Sequence, residues 1–153
     1  MKKALCILLL TGGLAASLIA EPTKLGLGIF LGQPSGVCVG LDLNAVNWLD
    51  FKAAWNFAGP ADSVNIIAQA NYELAFPGLL VIQEQDIVPF VGIGLEVSFG
   101  SDLPQIGFRI PVGLNYRFKD APLELFLEIG IGMYLFPATQ FMGSGGLGVR
   151  YRL

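Results

Sequence analysis

Leu123-Glu124-Leu125-Phe126-Leu127-Glu128-Ile129-Gly130-Ile131-Gly132-Met133-Tyr134-Leu135 is the stretch that decides the fold. Every odd position in it is large and apolar. The even positions hold Glu124, Phe126, Glu128, Gly130, Gly132 and Tyr134. Side chains of a strand alternate between two faces, so this segment reads as one strand with a continuous apolar face and a charged, small or mixed one.

The preceding segment repeats the pattern. Ile106, Phe108, Ile110, Val112, Leu114, Tyr116 and Phe118 share one face, and Gly107, Arg109, Pro111, Gly113, Asn115 and Arg117 share the other. Lys119-Asp120-Ala121-Pro122 between them carries turn chemistry, which predicts a long antiparallel hairpin. The same template predicts strands over 24–32, 37–44, 49–57, 63–74, 88–99, 106–118, 123–135 and 141–153. The connections read as Gln33-Pro34-Ser35-Gly36, Asn44 to Trp48, Ala58-Gly59-Pro60-Ala61-Asp62, Gly100-Ser101-Asp102 and Pro137-Ala138-Thr139. Pro89 and Pro111 fall inside strands, where each removes a ladder bond or forces a bulge.

Composition sets the class. Of 153 residues, 54% are hydrophobic and 14% charged, against roughly 25% charged in ordinary domains. Mean hydropathy is +0.63. Such a chain is not disordered. With net charge −3 and no Lys/Arg cluster it is not a nucleic-acid binder. Histidine is absent, which removes the commonest general base and metal ligand.

Residues 1–20 read as a secretory signal: basic Met1-Lys2-Lys3, the apolar run Ala4 to Leu10, then smaller residues. Cleavage is expected near Ala20, before Glu21-Pro22, with Ala15-Ala16-Ser17 as the competing small-residue site. An uncleaved anchor is the other reading, but Gly12-Gly13 interrupts the run and it is short for a span. Cys6 precedes most of the apolar region, which argues against a lipoprotein. Residues 21–153 then form one domain with Cys38 as its one cysteine, so no intramolecular disulfide is available. Cys38 is expected as a small residue in a packed interior.

The faces choose between two kinds of barrel. The apolar rows begin at Leu25, Val37, Leu49, Val64, Pro89, Ile106, Leu123 and Phe141, continue at every second residue and contain no charge. The opposite rows hold the cations Lys24, Lys52, Arg109, Arg117, Arg150 and Arg152 and the anions Asp42, Asp50, Glu73, Glu96, Glu124 and Glu128. An eight-stranded barrel has an interior only just wide enough for side chains to fill. It cannot hold the apolar rows. They must face outward, which only lipid tolerates, and a closed barrel satisfies its backbone without water. The expected fold is all-β: an eight-stranded antiparallel up-and-down transmembrane barrel. Rim aromatics are expected as two girdles, with Trp48, Tyr72, Tyr116, Phe118 and Tyr151 at one end and Trp55, Phe57, Phe99, Tyr134 and Phe141 at the other.

The terminal Gly148-Val149-Arg150-Tyr151-Arg152-Leu153 resembles the assembly signal of outer-membrane barrels, Gly-x-x-hydrophobic-x-hydrophobic, with Leu153 where that family usually has Phe or Trp. Arg109 to Leu114, Phe118 to Glu124 and Gly145 to Tyr151 look like a family of small bacterial outer-membrane β-barrels. More loosely, the chain is similar to the OmpA/OmpX and OmpW types. The resemblance implies outer-membrane location, lipid and the barrel assembly machinery as partners, with Gly148, Tyr151 and Leu153 as the signal. Those families include anchors, adhesion proteins and narrow channels for apolar solutes.

The inward charges are the main chemical constellation, and are expected to form an ion-pair network that plugs the lumen. A conduit for small solutes is the competing expectation. Glu124 and Glu128 lie about 13 Å apart along a strand, too far for a glycosidase pair. They are expected to pair with Arg109, Arg117 or Arg150. Gly143-Ser144-Gly145-Gly146-Leu147-Gly148 matches G-x-G-x-x-G but lacks the helix a dinucleotide site needs. Without histidine no Ser–His or Cys–His nucleophile can be assembled. No catalytic residue, metal or cofactor is assigned. The long connection Phe76 to Ile87, with Leu79-Leu80-Val81-Ile82, is expected to extend two strands or to lie at the membrane interface. The expected role is structural or interactional. The alternatives are a narrow channel for apolar solutes and a soluble periplasmic ligand-binding barrel.

Overall fold

The computed structural model describes residues 25–56, 65–100 and 103–153. The 1–20 segment, Lys24, Phe57 and the 58–62 connection lie outside them. Eight strands make the wall: β1 (Leu25–Gln33), β2 (Ser35–Asp42), β3 (Asn47–Asn56), β4 (Asn65–Ala75), β7 (Val88–Phe99), β8 (Gln105–Arg117), β9 (Leu123–Phe136) and β10 (Gln140–Arg152). Two short strands, β5 (Val81–Ile82) and β6 (Gln85–Asp86), pair apart from it. The wall is a closed antiparallel barrel of order β1-β10-β9-β8-β7-β4-β3-β2. Its seam joins β1 to β10 from Gly26↔Arg152 to Gln33↔Gly145, so among the described residues none of the eight wall strands is an edge strand.

Alternation governs burial on each strand. On β4, Ile67, Gln69, Asn71, Glu73 and Ala75 are buried while Ile66, Ala68, Ala70, Tyr72 and Leu74 are exposed. On β9 the charged row is buried, and Leu127, Ile129 and Ile131 are exposed. The apolar rows therefore face outward, which overturns the soluble-barrel alternative, since that fold requires them inside. An apolar belt of this extent calls for lipid as the surrounding solvent. Two girdle assignments are corrected. Trp48 and Tyr134 are buried inside the barrel, because both sit on the even-numbered inner rows of β3 and β9. Tyr72, Phe118, Tyr151, Trp55, Phe99 and Phe141 remain exposed on the outer face.

The turns are tight. Pro34 alone separates β1 from β2, a narrower turn than Gln33–Gly36. The Ser35 hydroxyl closes it, donating to the Gly32 carbonyl at 2.7 Å and accepting from the Gly32 N–H at 3.0 Å. Between β2 and β3, Asn44 Oδ1 accepts from the N–H groups of Val46 and Asn47, each at 2.9 Å, the turn geometry that Asn favours. Pro89 stays paired with Leu114, whereas the β7–β8 ladder is interrupted between Val91↔Val112 and Gly94↔Arg109. Pro111 lies in that gap and has no N–H to give. The register is the same on both sides, so the proline removes bonds without a bulge. The irregularity falls instead at Ile106/Gly107, where β8 meets β9.

The 76–87 connection does not lengthen β4 and β7. It folds into its own hairpin, Val81↔Asp86 and Ile82↔Gln85, with Gln83 and Glu84 at φ 51° and 64°. Two consecutive positive φ values make the type I′ turn that suits a two-residue hairpin. The strand order puts it at the barrel end where β1 begins and β10 finishes.

Candidate functional site

Period two delivers to the lumen Asp50 and Lys52 from β3, Gln69, Asn71 and Glu73 from β4, Glu96 from β7 and Arg109 and Asn115 from β8. From β9 and β10 come Glu124, Glu128, Tyr134, Arg150 and Arg152. Glycines on the same rows make room for these long side chains. A Cβ at Gly130 would lie 2.1 Å from Arg109 Nη2, and one at Gly148 would lie 2.0 Å from Phe126 Cζ.

Mid-lumen, Lys52 Nζ bonds Asp50 and reaches Glu128 Oε2 at 2.8 Å. The other Glu128 oxygen accepts from Arg109 Nη2 at 2.9 Å. Arg109 also donates to Gln69 Oε1 at 3.0 Å and Ser144 Oγ at 2.7 Å. Gln69 Nε2 donates to Glu96 Oε2 at 2.8 Å, and the Tyr134 hydroxyl donates to Glu96 Oε1. Toward the terminal end, Arg150 bonds Asp50 and reaches Glu124 Oε1 at 2.8 Å. Glu124 further accepts from Asn115 Nδ2 at 2.9 Å, Arg117 Nε at 3.1 Å and Arg152 Nη1 at 3.1 Å. Arg117 and Arg152 both reach Asp42. Stacked Phe30 and Phe126 lie beside this network. The Arg150 guanidinium sits 4.0 Å from the Phe126 ring centre, an attractive cation–aromatic geometry. Cys38 is buried against the same two rings.

Burial of these ions is nearly complete. Exposure is 0% for Asp50 and Glu124 and 1% for Arg109, Glu128 and Arg150. Charge so deeply desolvated persists only when paired and hydrogen-bonded, and these five are. Glu73 is the exception. Among the described residues it makes no ion pair, and its carboxylate accepts one long bond from Asn71 Nδ2 at 3.4 Å. Asp50, Glu73 and Glu128 each bring an oxygen within 4.8 Å of the others. The Lys52 ammonium bonds two of the three and is itself the cation of that cluster.

All eleven described members of the inward set, Asp42 through Arg152, lie on inner rows, and Lys24 lies outside the described residues. Glu124 takes Arg117 and Arg150 as partners, and Glu128 takes Arg109. Arg152 and Lys52 join them as partners the strand pattern alone did not single out. The neutral members Gln69, Asn71, Asn115, Tyr134 and Ser144 were also missed as partners, although their parity placed them on the inner rows. The G-x-G-x-x-G segment lies within β10, a strand. Gly146 is needed there because a Cβ would approach the Leu31 carbonyl to 2.4 Å, whereas Gly143 faces open space. In the terminal motif Gly148 packs on Phe126, Tyr151 faces outward, and the Leu153 N–H donates to the Leu25 carbonyl at 2.9 Å across the seam. At the terminal mouth a cavity of about 250 Å³ is lined by Asp42, Trp48, Ala75, Asp86, Asn115 and Arg117, among others.

With this geometry in hand, two solved structures are similar. One is the N-terminal β-barrel domain of Pseudomonas aeruginosa OprF, with TM-score 0.65 and 16% identity, covering 86% of this chain and 98% of that one. The other is Neisserial surface protein A, with TM-score 0.53 and 14% identity, covering 86% of this chain and 94% of that one. The chain shares the fold of these barrels. No protein-family model and no curated protein matches the sequence.

Proposed function

We propose that the chain is an integral barrel of a bacterial outer membrane, with a lumen closed by its own charges and a structural or interaction role. The observation that carries this is the burial of Asp50, Arg109, Glu124, Glu128 and Arg150 inside the barrel, from mid-lumen toward its terminal end. A space that admits no water-sized sphere to these groups passes no hydrated ion. The apolar outer face and the likeness to OprF and Neisserial surface protein A support the membrane placement. The terminal Gly148, Tyr151 and Leu153 fit recognition by barrel assembly machinery.

The apolar-solute channel is the weaker reading. A lateral exit near Pro111 needs β7 and β8 to part. They hold one register through the ladder gap, and a Cβ on Gly92 would stand 3.0 Å from Pro111 Cγ.

Reconstitution into planar bilayers tests the proposal. The folded protein is expected to give no steady conductance at physiological salt, while the Lys52→Ala/Glu128→Ala double variant conducts. Steady open channels from the unaltered protein would sink it. Folding itself is read on an SDS gel, where the barrel is expected to migrate differently before and after boiling.

A further inference from the structure

The β5–β6 hairpin carries four consecutive apolar residues that the barrel does not cover. Exposure is 72% for Leu79, 37% for Leu80, 59% for Val81 and 49% for Ile82. In water such a run is a liability. Its position says what covers it. The hairpin is tied to the outer side of the rim, because the Tyr116 hydroxyl donates to Gln85 Oε1 and Lys119 Nζ donates to the Glu84 carbonyl at 3.1 Å. Tyr116 belongs to the outward row of β8 and packs edge-on against Phe118, with ring centres 4.8 Å apart. Ile87, which leads into β7, borders the outer-face residues Leu114, Tyr116 and Leu125. Through Glu84, Gln85 and Ile87 the hairpin thus meets the lipid-facing belt at the level of its aromatic rim, where amphipathic rings mark the membrane–water boundary, and the exposed apolar run stands beside that contact.

The acid paired across the hairpin from Val81 is engaged by the backbone. Both oxygens of Asp86 accept from the Gly78 N–H, at 3.1 and 3.2 Å. The polar Gln83-Glu84 tip is held to the β8–β9 turn by Lys119.

We propose that the β5–β6 hairpin is an interfacial anchor, laying Leu79, Leu80, Val81 and Ile82 into the leaflet next to the terminal end of the barrel. Its occupant is lipid. The segment lies in the plane of the interface, roughly 5–10 Å into the headgroup and acyl boundary as other interfacial segments do, and it adds apolar contact without a further span. The inference rests on the membrane placement proposed above.

The test uses a Cys38→Ala background with an environment-sensitive fluorophore at Val81→Cys, Asn44→Cys or Ile129→Cys. Each variant is folded into phosphatidylcholine vesicles. Nitroxide lipids labelled near the headgroup or at mid-chain quench from the membrane side, and iodide quenches from water. The expected result is quenching of the Val81 label by the shallow nitroxide, of the Ile129 label by the deep one, and of the Asn44 label by iodide alone. A Val81 label quenched only by iodide, with Ile129 still quenched by lipid, would overturn the anchor and leave the membrane placement standing. A Val81 label shielded from both would put the hairpin against protein and overturn it too. An Ile129 label unquenched by lipid would overturn the membrane placement, and the anchor with it.

Discussion

Lys52 and Glu128 meet across the lumen at 2.8 Å, and they come from β3 and β9, strands on opposite sides of the barrel ring. The pair crosses the cylinder rather than running along its wall. It meets Arg109 on one side and Asp50 on the other, so one carboxylate holds two cations and one ammonium holds two carboxylates.

Removing one member leaves its partner buried and unpaired. Glu128→Gln alone is expected to destabilise the folded barrel by about 3–5 kcal/mol, the usual range for breaking a buried pair. Lys52→Met with Glu128→Gln should cost clearly less than the two single changes added together. Urea unfolding in lipid vesicles measures all three. Strict additivity would mean that the two side chains do not share an energetic link.

Ile129 is 57% exposed at the middle of β9, and Gly130 beside it faces the lumen. Ile129→Arg should cost about 2–4 kcal/mol if that face meets the bilayer midplane. The same change at Leu123, at the rim, should cost far less. A flat profile with depth, read by the same unfolding assay, would contradict a lipid-facing belt.

Gly130 and Gly143 separate space from propensity. Gly130→Val drives a side chain into Arg109 and Ser144, and should leave no heat-modifiable folded band on an SDS gel. Gly143→Val faces open space and should fold as well as the unaltered chain.

The Gln83-Glu84 turn places two non-glycine residues at positive φ. Left-handed backbone costs about 1–2 kcal/mol for a residue with a Cβ. Glu84→Gly should therefore steady the hairpin. The Ile87 N–H, bonded to the Leu80 carbonyl at 2.9 Å, should exchange several-fold more slowly with deuterium. Faster exchange would show that the Glu84 side chain contributes more than its backbone costs.

The strands were legible because alternation is a local signal. Leu123 to Leu135 declares its two faces without reference to any neighbour, and the same holds along β8. Trp48 and Tyr134 were misplaced for different reasons. Trp48 read as part of a turn, whereas β3 begins at Asn47 and brings it onto the row of Asp50. Tyr134 was judged by its height on the barrel, although its parity with Glu128 already put it inside. The partners of each charge were less legible. Neighbouring-strand pairs such as Glu124 with Arg117 follow from adjacency, but Lys52 with Glu128 depends on how far the strands stagger around the ring. No local pattern records that offset. The type I′ hairpin was hidden for a related reason, since Gln-Glu lacks the Asn-Gly chemistry that usually announces such a turn.

The seam has a kinetic consequence. Gly26 pairs with Arg152, so the first and last described strands complete each other. Until they meet, two rows of peptide groups have no partners, and hydrocarbon offers none. A partly inserted barrel is therefore penalised along both open edges at once. Insertion should be cooperative, and slow for a chain of this size, because the closing contact spans nearly the whole sequence.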